Sequence, residues 1–171
     1  MALSGLKSKR ILKATNRLLR KKNNSLQISK NIKTVGIIVN EGSDFDFDLL
    51  KNLQKQIGSG SKNFSVLTCK KTNESHNEFR GVVIKEEDFS WNGSLKSAEV
   101  IGFLEKPFDM LIDFTNNVEI YNNYLVAKSK AKFKVGYTNN DERLYDLMIS
   151  SKTVKSFIDE LIKYLKILKK L

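Results

Sequence analysis

Between Phe108 and Thr138 the chain reads FDMLIDFTNNVEIYNNYLVAKSKAKFKVGYT. An apolar run from Phe108 to Phe114, a helix-forming stretch from Asn117 to Ser129 and a second apolar run from Lys132 to Tyr137 make a strand–helix–strand unit. Such a unit belongs to a parallel sheet, because parallel neighbours need a crossover connection and cannot be joined by a tight hairpin. One such unit points to helices layered on a mostly parallel sheet. Asn116, followed three residues later by Glu119, resembles a capping box at the start of its helix.

The flanking sequence extends the same pattern. KTVGIIVN, Lys33 to Asn40, reads as a central strand, and Ser43 is placed to cap a helix that carries Leu49, Leu50, Leu53 and Ile57 and is ended by Gly58-Ser59-Gly60-Ser61. Phe64 to Cys69 is a further strand, completing a crossover that is right-handed by strong preference. Gly81 to Ile84 suits a short edge strand, and EEDFSWNGS an irregular connection with Phe89 and Trp91 anchored to the domain; for Trp91 anchoring the loop is favoured over stacking on a base, although aromatic stacking beside a basic surface is how RNA loops are often held. Ser97 to Lys106 suits a short helix ended by Pro107, and Leu144 to Ile149 a last edge strand. Val154, Phe157, Ile158, Leu161, Ile162, Leu165 and Leu168 form an apolar stripe that makes the C-terminal helix a sheet-covering one. The expected fold is α/β: a single three-layer Rossmann-like or flavodoxin-like domain over residues 33–171, with a mostly parallel sheet of about four to six strands. A basic helical or partly disordered arm, residues 1–32, precedes it.

Charge defines that arm. Ten of the 30 Lys and Arg lie in residues 1–33 with no acidic residue, leaving +1 for the other 138 residues. Lys7, Lys9, Arg10, Lys13, Arg17, Arg20, Lys21 and Lys22 are the candidate RNA contacts. At 100° per residue Leu3, Ala14 and Leu18 share a side with Lys7, Arg10 and Lys21, while Leu12 and Leu19 lie opposite, so charge surrounds the helix. A helix among phosphates benefits from cations in several directions, whereas a membrane-surface helix wants a clean apolar face. A single cysteine, Cys69, excludes an intramolecular disulfide framework. The sequence holds no apolar run of bilayer length and no secretory core, so a soluble cytoplasmic protein is expected.

In an open parallel sheet, ligands sit beyond the carboxyl ends of the strands. Asn40, Glu41, Ser43, Asp113, Asn116 and Asn139 fall there and form the candidate ligand rim. The first loop offers one glycine among Glu41, Asp44 and Asp46, which disfavours a phosphate cradle. Glu41, Asp44 and Asp113 have the hard oxygens Mg²⁺ prefers, yet nothing in their spacing fixes a geometry, and no metal or cofactor is assigned. His76 lies in a polar loop beside no motif-placed nucleophile.

Four segments carry a resemblance: Asp88-Phe89-Ser90-Trp91-Asn92-Gly93; Phe108-Asp109-Met110-Leu111-Ile112-Asp113; Ser129-Lys130-Ala131-Lys132-Phe133-Lys134-Val135-Gly136; and Phe157-Ile158-Asp159-Glu160-Leu161 with Lys163-Tyr164-Leu165. From about Lys33 onward the chain resembles an uncharacterised family of small proteins from Bacteroidota, especially flavobacteria. The resemblance implies a bacterial cytoplasmic origin and a Rossmann-like fold, and it brings no activity or site. Phe108 to Asn139 is also similar to the strand–helix–strand in the N-terminal half of heptosyltransferase-type glycosyltransferases. That family needs two such halves, so the likeness is one of fold.

The charge split favours a non-enzymatic binding protein whose arm contacts RNA, in a ribosome-associated setting, with the α/β domain as docking body. A small-ligand or enzymatic use of the rim is the alternative, and attachment of the arm to an anionic membrane surface the third; no protein partner is identified.

Overall fold

The computed structural model describes residues 2–21, 29, 31–58, 63–70, 81–115 and 119–171. Six strands, β1 (Val35–Asn40), β2 (Phe64–Lys70), β3 (Val82–Lys85), β4 (Met110–Asp113), β5 (Lys134–Tyr137) and β6 (Leu147–Ile149), form one sheet in the order β3-β2-β1-β4-β5-β6. Every neighbouring pair is parallel. The order reverses between β1 and β4, which is the switch point where an open parallel sheet leaves a crevice at its carboxyl edge.

Helices cover both faces, as the near-continuous apolar strands require. α2 (Phe47–Ile57) and α5 (Val154–Ile167) bury Leu50, Leu53, Phe157, Ile158 and Leu161 against Val35, Ile37, Met110 and Ile112 on one side. α1 (Ala2–Lys21), α3 (Ala98–Glu105) and α4 (Ile120–Lys128) enclose Ile38, Leu67, Leu111 and Leu125 on the other.

Local signals explain most element boundaries. Thr153 caps α5 by accepting from Ser156 N, Ser97 caps α3 by accepting from Val100 N, and Gly58 ends α2 in the left-handed region at φ 71°. Two caps differ from expectation. The cap of α2 is Asp46, which accepts from Leu49 N at 2.8 Å, and Ser43 sits instead in a turn donating its backbone N–H to Asn40 O. The helix begins late because Phe45 must first enter the core, where it stacks on Phe114 at 4.6 Å. Glu119 occupies the N-cap of α4 without a side-chain cap bond, so the Asn116 capping box is not the start of that helix; Asn116 itself lies outside the described residues.

The largest difference from the sequence reading concerns α1. Its excess charge sets it apart, but it packs along α4. Ile11 is 0% exposed, Thr15 is buried, and Ala14, Leu18 and Leu19 rest on the same cluster. Lys7 and Arg10, whose presence blurs an apolar face on paper, are accommodated because the body supplies partners for them. Lys7 Nζ donates to Glu86 O at 2.5 Å, and the Arg10 guanidinium lies 4.5 Å from the centre of the Trp91 ring. The second correction is Trp91. Phe89 is buried between Tyr121 and Tyr124, whereas Trp91, expected to anchor its loop to the domain, is 71% exposed.

Candidate functional site

Two surfaces have the composition and geometry to bind something. The first is the outer side of α1. Its docked side runs through Lys7, Ile11, Ala14 and Leu18, so residues about half a turn away face solvent. Those are Lys9, Lys13, Arg17 and Arg20, with Lys21 at the helix end, and all five are exposed. The helix contains no acidic residue, and none of the five has an ion pair among the described residues. Of the eight expected contacts, Lys7 and Arg10 are instead engaged with the body, and Lys22 lies outside the described residues. Packing thus leaves the exposed cations of the helix, which have no ion pair among the described residues, on a single side.

The second is a cavity of about 320 Å³ at the carboxyl ends of β1, β2 and β3. Asn40, Lys70, Lys85, Glu119 and Asn122 bring polar groups to it, and Ile84, Phe89 and Leu125 give an apolar floor. Asn122 Nδ2 donates to Asn40 Oδ1 at 2.9 Å, which holds both amides in the wall. Tyr121 donates to Glu86 Oε1 at 2.6 Å across the mouth, and burial followed by that bond pushes the phenol up to about 12. Cys69 also lines the cavity; burial, then the Asp113 and Glu119 charges, push its thiol far above its ordinary value, which makes it a poor nucleophile.

The expected rim does not converge on this cavity. Asn40 is in its wall. Glu41 is half-buried, 3.8 Å from Lys70 Nζ, and Ser43 belongs to the turn described above. Asn139 is exposed in the loop after β5. Asp113 is 1% exposed and faces inward: its Oδ2 accepts from Tyr145 OH at 2.6 Å and its Oδ1 from Thr115 N at 2.9 Å. Asn140 closes the network by donating from Nδ2 to Thr115 O at 3.0 Å. Burial raises the Asp113 carboxyl to about 6, against the opposing pull of the Tyr145 and Thr115 bonds. Tyr145 reaches it only because Gly136 lacks a side chain, since a Cβ there would lie 2.3 Å from the Tyr145 ring. Asp113 is therefore a structural group beneath the edge. Glu41, Asp44 and Asp113 do not meet, and no three His, Cys, Asp or Glu among the described residues converge on a metal position. His76 lies outside the described residues.

Sequence reasoning missed Asn122 and Glu119 as wall residues and Trp91 as an exposed one. The signal for Asn122 was a polar residue on the inward side of an otherwise apolar helix, where a buried amide needs a partner.

A family model described as a family of unknown function (DUF6913) matches residues 7–168, spanning α1 and the sheet together. No curated protein and no solved structure matches the chain.

Proposed function

The chain belongs to the DUF6913 family, and for it we propose a non-enzymatic RNA-binding role in which the outer side of α1 meets the phosphate backbone and the α/β body holds that helix in place. One observation supports this reading above the others. Lys9, Lys13, Arg17, Arg20 and Lys21 are exposed on one helix, with no acid in that helix and no ion pair among the described residues. Unneutralised like charges on one side repel one another, and a polyanion relieves that repulsion while releasing its own counterions. A ribosomal RNA surface has the required charge. A membrane surface is a weaker match, because the apolar side of α1 that would enter lipid is packed on α4.

The test uses the full chain and a fluorescein-labelled RNA. Binding that neutralises five phosphates of a single strand weakens about a hundred-fold between 50 and 200 mM salt. Lys9→Glu, Lys13→Glu, Arg17→Glu and Arg20→Glu together remove binding, and circular dichroism of the variant matches wild type because all four side chains are exposed. Wild-type affinity in that variant defeats the reading.

The cavity at the carboxyl ends of β1 to β3 favours a second reading, a small polar ligand. Its paired amides at Asn40 and Asn122, over an apolar floor, are the mixture such sites present. Thermal-shift screening with nucleosides and sugars, compared between wild type and Asn122→Leu, tests it: a hit lost in the variant supports the cavity, and a hit kept there places binding elsewhere.

A further inference from the structure

From the placement of Trp91 beside α1, we infer that the nucleic acid held there is single-stranded and that one of its unpaired bases stacks on the Trp91 ring. The inference rests on the α1 reading above and adds the class of strand.

Four observations carry it. Trp91 is 71% exposed, and an exposed residue of this size is informative where an exposed leucine is not. Its loop is rigid. Ser90 N donates to Ser94 O at 2.8 Å, Gly93 N to Ser90 O at 2.9 Å and Lys96 N to Asp88 O at 2.9 Å, and Phe89 pairs with Leu95 in an antiparallel bridge. The loop is also fixed to α1. Gly93, at φ 84°, lies so close that an added Cβ would be 3.3 Å from Ile11 Cγ1. Finally, the Arg10 guanidinium covers the ring at 4.5 Å from its centre. That cation–π contact occupies one face of the ring, and at 71% exposure the rest of it meets solvent.

The cations continue from this point. Beyond Arg10, the cations Lys13, Arg17 and Lys21 follow at i+3, i+7 and i+11, within a sector of about 80° and over about 12 Å of helix. A phosphate backbone running along that stripe has an aromatic plane at one end. Bases inside a duplex are already stacked and cannot offer a face to it, whereas unpaired bases can. Every base has a π-face, so the surface discriminates strandedness more than sequence.

Trp91 is the only tryptophan in the chain, so its emission reports this contact alone. The experiment titrates the full chain with a 12-nucleotide oligouridylate, an oligoadenylate of equal length and a 12-base-pair RNA duplex, following anisotropy of the labelled RNA and Trp91 emission together. The single strands are expected to bind tighter than the duplex and to quench Trp91. Trp91→Ala should weaken single-strand binding about five-fold or more with an unchanged salt slope, and Trp91→Phe should restore most of it. Single-strand binding with unquenched Trp91 and wild-type affinity in Trp91→Ala overturns the inference and leaves the α1 reading standing. Equal affinity for the duplex also overturns it. Absence of binding to any of the three RNAs at 50 mM salt defeats the α1 reading itself. A blue shift of Trp91 with vesicles of anionic phospholipid, without response to RNA, assigns the surface to membrane and overturns both.

Discussion

Replacing Ile11 by alanine measures whether α1 is held by the body or merely precedes it. Ile11 is wholly enclosed, among Ala14, Leu18 and the α4 side of the sheet. The substitution removes three buried carbons, at about 0.8 kcal/mol each, or about 2.4 kcal/mol of transfer free energy. A cavity left in a site pinned by Gly93 on one side adds to this, giving about 2–4 kcal/mol. The neighbouring Leu12, 48% exposed on the same helix, provides the control: Leu12→Ala leaves helix propensity nearly unchanged and costs within about 0.5 kcal/mol. Urea denaturation of both variants, followed by Trp91 emission and by far-ultraviolet circular dichroism, reads the two costs side by side. In Ile11→Ala the Trp91 signal, which reports the Arg10 contact, changes at lower urea than the circular dichroism if α1 leaves the body before the sheet unfolds. Equal and small costs for the two substitutions would refute the docking of α1, and with it the argument that confines its exposed cations to one side.

Other expectations concern the buried polar groups. Tyr145→Phe removes the 2.6 Å bond to Asp113 Oδ2. Because the folded Asp113 value is raised from 3.8 to about 6, the stability this group contributes is complete below about 3.8 and lost as pH rises through about 6. Losing the hydroxyl raises that value further, so the variant should cost about 1.5–3 kcal/mol at pH 7.5 and about 0.5–1.5 kcal/mol at pH 5, by urea unfolding at both; equal costs would contradict the assignment. Asp109 behaves oppositely. Its desolvation, which alone would raise it, is outweighed by bonds from Lys132, Ser29, Lys33 and Thr34 that hold it well below the usual carboxylate range. Its contribution is thus complete above its ordinary value of 3.8 and lost as pH falls below that. Asp109→Asn should cost about 1.5–3 kcal/mol at pH 7, with the gap to wild type narrowing toward pH 3 in the same assay. Gly136→Ala forces Tyr145 off β5 and should lower stability by about 1–3 kcal/mol, read as a fall in Tm, with the carbon-13 chemical shift of the Asp113 carboxyl titrating at a changed pH.

The sequence by itself determined the α/β class and most element positions, since those depend on neighbours a few residues apart. The apolar runs of β1, β4 and β5, the stripe of α5 and the glycine that opens the stop after α2 are local facts of spacing and residue type. What a charged or aromatic side chain meets is not local. Lys7 finds Glu86 79 positions later, Arg10 the Trp91 carbonyl 81 positions later, and Asp113 the hydroxyl of Tyr145 32 positions later. Only the tertiary structure decided that Asp113 turns inward, that Trp91 faces solvent and that a helix ringed by charge has its exposed cations on one side. The physical reason is that hydrophobic periodicity reports how much apolar surface a segment must bury, while the fate of a charge depends on which partner the fold brings within reach.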